Sequence, residues 1–229
     1  MNNSHIRPNL IVHTLSMALG KMLSITPRYA TEYIVTIGEI ADYFNWLLQN
    51  FDERKFHINR ERLFYQINER FDKGRYQVIE LGVAHGFLTN WYLDKFPQVT
   101  SWSGFDTFLG LPRSWRKFPK GAFNANGLPP KIVNKKINWF VGDVSTEILK
   151  VSINQELSTL VIFDLDIFEP SLDAWQHLER FLKPGDILYF DEAFDKDERK
   201  LLNEHVLKRM KFSLVGHTST ALAIRIVST

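Results

Sequence analysis

Near the C-terminus two apolar runs, Phe212–His217 and Ala221–Val227, are separated by only Thr218-Ser219-Thr220. So short a connection admits an antiparallel hairpin alone, because parallel neighbours need a crossover of a dozen residues or more. Upstream the pattern is different. The strand-like runs Gln77–Leu81, Thr100–Phe105, Ile137–Val141, Thr159–Asp164 and Asp186–Phe190 alternate with helical stretches at about Phe87–Phe96, Ser145–Ser152, Leu172–Phe181 and Asp197–Arg209. Such alternation predicts a mostly parallel sheet with helices on both faces. The expected fold is α/β: a doubly wound, seven-stranded sheet of five parallel strands closed by a C-terminal antiparallel hairpin.

Residues 9 to about 74 lack this alternation. Leu10, His13, Thr14, Met17 and Leu19 open a short amphipathic segment, and Ile34, Ile37, Ile40, Ala41, Phe44, Leu47 and Leu48 recur at helical spacing. A third helix, about Arg60–Phe71, carries Leu63, Phe64, Ile67 and Phe71 on one face and stops near Gly74. No Pro/Gly/Ser-rich linker follows. Residues 1–74 therefore read as a helical appendage on a domain spanning 75–229, covering its site, pairing with a second subunit, or both. Their apolar faces read as core. The 229 residues suit one large core with added elements. Absence of cysteine removes disulfides and thiolate metal sites. A net charge of +2 gives no sign of a nucleic-acid partner. No apolar run approaches 18 residues, so no membrane partner is expected. Met1–Pro8 is polar without a signal layout, which leaves the cytoplasm as the expected location.

The first strand ends Val78-Ile79-Glu80-Leu81-Gly82-Val83-Ala84-His85-Gly86, an acid and a glycine turn opening a helix. A dinucleotide site would show G-x-G-x-x-G, closing backbone N–H groups on a pyrophosphate. Here the pattern is E-x-G-x-x-x-G, and Glu80 would repel a phosphate but attract an ammonium or sulfonium. The second strand ends on Asp106, 26 residues beyond Glu80, near the spacing at which an acid accepts ribose hydroxyls. S-adenosylmethionine carries a ribose, an ammonium and a sulfonium, and no phosphate. The bland alternative is a strand-to-helix turn that binds nothing.

Between the second and third strands, Thr107–Lys136 forms a long insertion rich in proline and glycine, with Trp115, Phe118 and Phe123 among them. Irregular stretches of this length are functional or disordered, and the aromatics favour order. Directly following Asp106, residues 107–136 read as a lid that becomes ordered when the site fills. Arg113, Arg116, Lys117 and Lys120 give it a positive face, read mostly as solvated charge.

These residues resemble a known family. Glu80-Leu81-Gly82-Val83 with Gly86, then Gly104-Phe105-Asp106-Thr107-Phe108-Leu109-Gly110-Leu111-Pro112, is similar to the macrocin O-methyltransferase type of class I methyltransferase, a group of natural-product sugar methyltransferases. Trp139–Asp143, Phe163–Ser171 and Leu182–Glu192 continue the likeness, which covers roughly residues 60 to 229. It implies a Rossmann-like fold, S-adenosylmethionine as methyl donor, a small-molecule acceptor such as a sugar or secondary metabolite and, in many members, a divalent metal such as magnesium (Mg2+). By resemblance Glu80, Gly82 and Gly86 line the methionine end of the cofactor. Asp106, with Thr107 beside it, takes the ribose, and Asp143 lies near the adenine amino group. Two departures stand out: Asp191-Glu192 replaces a frequent aspartate pair, and Phe168 replaces a common tyrosine.

Asp164 and Asp166 close the fourth strand, and Asp191 and Glu192 the fifth, at the carboxyl edge where open α/β sheets bind ligands. Alternation puts Asp164 and Asp166 on one face while Asp191 and Glu192 point apart. The expected metal ligands are Asp164, Asp191 and Glu192, since magnesium prefers carboxylates plus waters. The candidate bases are Asp164, Asp166, His85 and His217, and the resemblance favours the two aspartates, Asp164 also meeting the cofactor. The competing reading has one carboxylate capping a helix, one meeting the cofactor and no metal. His85 and His217 read as surface and packing residues, and His177 as solvated. Two other classes remain at this point: a Rossmann-type nucleotide-sugar or NAD enzyme, and a non-catalytic binding module.

Overall fold

The structure, a computed structural model, describes residues 10–24, 28–51, 56–71 and 74–229. Met1–Pro8 lies outside the described residues. Helices α1 (Leu10–Leu23), α2 (Arg28–Asn50) and α3 (Arg60–Glu69) precede β1 (Tyr76–Leu81), α4 (Phe87–Lys95), β2 (Val99–Asp106) and β3 (Ile137–Val141). Then come α5 (Val144–Glu147), β4 (Ser158–Phe163), α6 (Phe168–Leu178), β5 (Ile187–Phe190) and α7 (Lys196–Leu201). A π-helical turn (Leu202–Val206) leads into α8 (Leu207–Arg209), and β6 (Lys211–His217) and β7 (Leu222–Ser228) end the chain.

The seven strands form one sheet in the order β3-β2-β1-β4-β5-β7-β6. The first five are parallel, and β7 runs antiparallel to both β5 and β6. This is the seven-stranded layout expected from the sequence. Strand β1 is buried at all six positions, as a strand covered on both faces must be. Its one amide, Gln77, is satisfied by Thr159 Oγ1 at 3.0 Å and the Asn154 carbonyl at 2.9 Å. In the hairpin, Thr218 Oγ1 accepts from the N–H groups of Thr220 and Ala221, closing the turn locally.

The chain packs as two compact units, 1–42 and 43–229, so the division falls within α2 rather than at residue 74. Helix α3 belongs with the sheet. Asn59 caps it by accepting from Arg62 N at 3.0 Å, and Leu63, Phe64 and Ile67 are buried with Tyr76, Tyr92, Trp102 and Tyr189 in one core cluster. The side chains of Leu10, His13 and Thr14 lie outside the described residues. Met17, Leu19, Ile34, Ile37 and Leu48 are exposed in the single chain, contrary to the core role expected of them. His177, read as solvated, is buried instead. Arg180 lies 2.6 Å from its Nδ1, and burial lowers its pKa, with the Arg180 charge adding to the effect. Among the described residues no helix is long and apolar enough to cross a membrane.

Register positions the site. Leu81 pairs with Phe105 on one side and Phe163 on the other, and Phe163 pairs with Phe190. The residue after each strand therefore falls in line. Gly82 N donates to the Phe105 carbonyl, Asp164 N to that of Leu81, and Asp191 N to that of Phe163, at 2.9–3.1 Å. Side chains separated by over a hundred residues become neighbours along one edge. They flank the switch point between β1 and β4, where strand order reverses.

Candidate active site

The loop after β1 is fixed from two sides. Gly82 has φ +92°, and a Cβ there would stand 1.8 Å from the Asp164 carbonyl oxygen, so only glycine lets the loop pass the end of β4. From the other side Asp106 holds it. Asp106 Oδ2 accepts from Val83 N at 2.9 Å and Ala84 N at 2.7 Å, and Oδ1 accepts from Phe108 N at 2.7 Å. Ala84 (φ 48°) and Phe108 (φ 57°) are both in the left-handed region, so the carboxylate stabilises two strained residues at once. Glu80 is buried. Thr89 Oγ1 at 2.5 Å and Trp102 Nε1 at 2.9 Å both donate to its Oε2, and burial raises its pKa to about 7 against these two bonds.

A cavity of about 840 Å3 opens over this edge. Glu80, Gly82, Asp106, Thr107, Asp143, Asp164, Asp166, Asp191 and Glu192 all line it. Gly86 does not. It begins α4 with φ +71°, and a Cβ would meet Pro130 and Ile132, which makes it a packing glycine rather than part of the cavity wall. His85 is at the exposed rim, stacked on Phe87, whereas His217 is buried against Tyr43, Phe44 and Phe56.

The four carboxylates beyond β4 and β5 face this one cavity. Strand alternation does not govern them, because all four lie past the strand ends and Asp166 adopts φ +62°. Asp191 is nearly buried and held at both oxygens: Tyr189 OH donates to Oδ1 at 2.5 Å, and Arg60 Nη1 donates to Oδ2 at 2.7 Å. The other three are held toward the protonated form. Burial, then Asp191, raises Asp164 well above its usual value. Burial, then Asp191 and Asp195, raises Asp166 to about 7, and burial, then Asp191 and Asp166, raises Glu192 to about 8. Behind them Glu198 is buried, its Oε2 accepting from Glu192 N at 3.1 Å, and burial pushes its pKa well up.

The magnesium site expected at Asp164, Asp191 and Glu192 does not fit this arrangement. Both Asp191 oxygens already accept from protein donors, one of them the cation Arg60, and among the described residues no three Asp, Glu or His side chains are placed to hold an ion. Sequence reading missed Arg60, Tyr189 and Glu198. The one signal for Arg60 was a basic residue at a helix start, where cations are disfavoured.

The insertion 107–136 is a folded flap without helix or strand. Leu111 N donates to the Ala122 carbonyl and Gly121 N to that of Leu111, while Ala125 and Gly127 N both donate to that of Phe108. Leu111 and Trp115 bury against Ile167. Two of its cations are paired rather than solvated. Arg113 reaches Asp197 at 2.9 Å, and Arg116 reaches Asp195 at 2.9 Å while lying 4.7 Å over the Phe194 ring. Lys120 lines the cavity.

Sheet order, terminal hairpin and a glycine loop at the switch point define the Rossmann-like methyltransferase fold. Solved structures share it, two of which illustrate the likeness. The calicheamicin methyltransferase CalS11 is 18% identical, over 96% of this chain and 94% of its own, at a TM-score of 0.51. The O-methyltransferase NovP is 13% identical, over 73% of this chain and 78% of its own, at a TM-score of 0.56. At these identities the likeness is one of fold. No protein-family model and no curated protein matches the chain.

Proposed function

We propose that this chain is an S-adenosylmethionine-dependent O-methyltransferase acting on a hydroxyl of a small molecule, a sugar or another secondary metabolite. The observation that carries the reading is one cavity joining the clamped loop at Glu80 and Asp106 to carboxyls whose pKa values lie near 7 and 8. When bound, S-adenosylmethionine supplies an electrophilic methyl group. The residues present suit it. Glu80 offers a carboxyl that a neighbouring ammonium would favour in its ionised form, Asp106 keeps one accepting position for the ribose beside Thr107, and Asp143 stands at the adenine end. The loop argues against a pyrophosphate, because the Val83 and Ala84 N–H groups that would cradle one already donate to Asp106.

At the other end Asp166 or Glu192 accepts the acceptor's hydroxyl proton. The hydroxyl oxygen would then be the nucleophile for the methyl group that S-adenosylmethionine supplies, its proton left on the carboxylate. A base with a pKa near the working pH is well matched to that transfer. The cavity mainly aligns the oxygen with the methyl–sulfur axis. The apolar side chains left exposed on α1 and α2 support a contact with a second subunit, which light scattering of the purified chain tests. Calorimetry with S-adenosylhomocysteine and with NAD tests the main reading: the first binds and the second does not. NAD binding without S-adenosylhomocysteine binding overturns it.

A further inference from the structure

We propose that Arg60 is the resident cation of the carboxylate cluster, its guanidinium taking the part of a divalent ion beside Asp191, so that the site works without metal. Arg60 is then a positioning residue for Asp191. It rests on the methyltransferase reading only for what the cluster does to its acceptor.

Placement is the first observation. Arg60 is the first residue of α3, directly after the cap Asn59, where a positive side chain opposes the positive end of the helix dipole. A residue that breaks a local rule at a cavity wall points to a compensating contact. That contact is Asp191, 131 residues away, at 2.7 Å. Asp191 in turn holds Tyr189 OH on its other oxygen, so β5, α3 and the cluster are tied through one carboxylate.

Electrostatics is the second. Four carboxylates share this wall, and a cation among them lowers their mutual repulsion. Arg60 is held charged above all by Asp191, with Tyr189 and Asp164 adding smaller contributions. Magnesium would have to approach Asp191 against the guanidinium that already holds its Oδ2 at 2.7 Å. Arg60 keeps half of its side chain exposed, so the cation remains open to the cavity.

The test needs no turnover. Wild type, Arg60→Ala, Arg60→Gln and Arg60→Lys are stripped with chelator and titrated with MgCl2 or MnCl2, following heat, melting temperature and the spin-resonance signal of bound Mn2+. Wild type and Arg60→Lys show no binding. Arg60→Ala and Arg60→Gln gain it, with a melting temperature raised by about 3 °C at about 10 mM ion. Arg60→Gln keeps a donor for Asp191 and serves if the alanine variant does not fold. Stoichiometric metal binding by wild type overturns the proposal, and so does indifference of both neutral variants to metal. S-adenosylhomocysteine binding is measured on the same samples. Its absence from wild type defeats the methyltransferase reading and leaves the cation exchange to be judged by the metal titration.

Discussion

Replacing Asp106 by alanine removes a carboxylate that accepts from three backbone N–H groups, two of them on residues with left-handed φ. Bonds from backbone to a charged acceptor contribute about 1.5–3 kcal/mol each, roughly 4–9 kcal/mol for the set. Asp106 is half-buried, so water replaces part of this, and a net loss of about 2–4 kcal/mol is expected. For a chain of this size that lowers the melting temperature by roughly 5–15 °C. Asp106→Asn offers one acceptor oxygen, keeps either the loop pair or the Phe108 bond, and falls between. The assay is thermal denaturation without cofactor, followed by calorimetry with S-adenosylhomocysteine. Both stability and affinity should drop in Asp106→Ala, because the loop loses its shape before any ribose arrives. A variant that melts within about 1 °C of wild type yet binds poorly would refute the clamp and return Asp106 to the ribose alone.

Methyl transfer should rise with pH through about 7 to 8 as Asp166 and Glu192 lose their protons, and Asp166→Asn or Glu192→Gln should remove that limb; a flat profile rejects both as bases. Stability should move the other way. The folded state holds protons that the unfolded chain releases above about pH 4, so the cluster's contribution falls as pH climbs toward 8, which melting curves across that range check. Gly82→Ala should cost about 3 kcal/mol or more, since its Cβ meets a backbone oxygen, and an unchanged denaturant midpoint contradicts the close approach. Arg116→Ala removes a half-buried pair worth about 1 kcal/mol, and tryptic cleavage at Lys117 and Lys120 should quicken about fivefold. An unaltered cutting rate means the flap is held elsewhere.

The strand order of kinds, parallel then hairpin, was legible because it depends on spacing: three residues between two apolar runs leave no other connection. Asp106, Asp164 and Asp191 were legible as edge residues for the same reason, each standing where an apolar run stops, and Glu80 by its place just before the glycine turn. Helix α3 was legible as a helix but its partner was not, because a helix reads as amphipathic whether its apolar face meets a neighbour helix or a sheet. Leu63, Phe64 and Ile67 meet the sheet's core. The magnesium ligands and the face of each acid were inferred from period-two alternation, which lapses once the strand ends and Asp166 turns to φ +62°.

Local periodicity and connection length thus determined, from the sequence by itself, the sheet and the edge at which acids collect. Tertiary structure decided what those acids touch. Asp191 meets Arg60 from 131 residues upstream, and Asp106 turns back to the loop after β1 rather than facing the cavity alone. The reason is physical: a strand's pattern fixes where a side chain begins, but its partner is whichever donor the packing of distant elements brings within 3 Å.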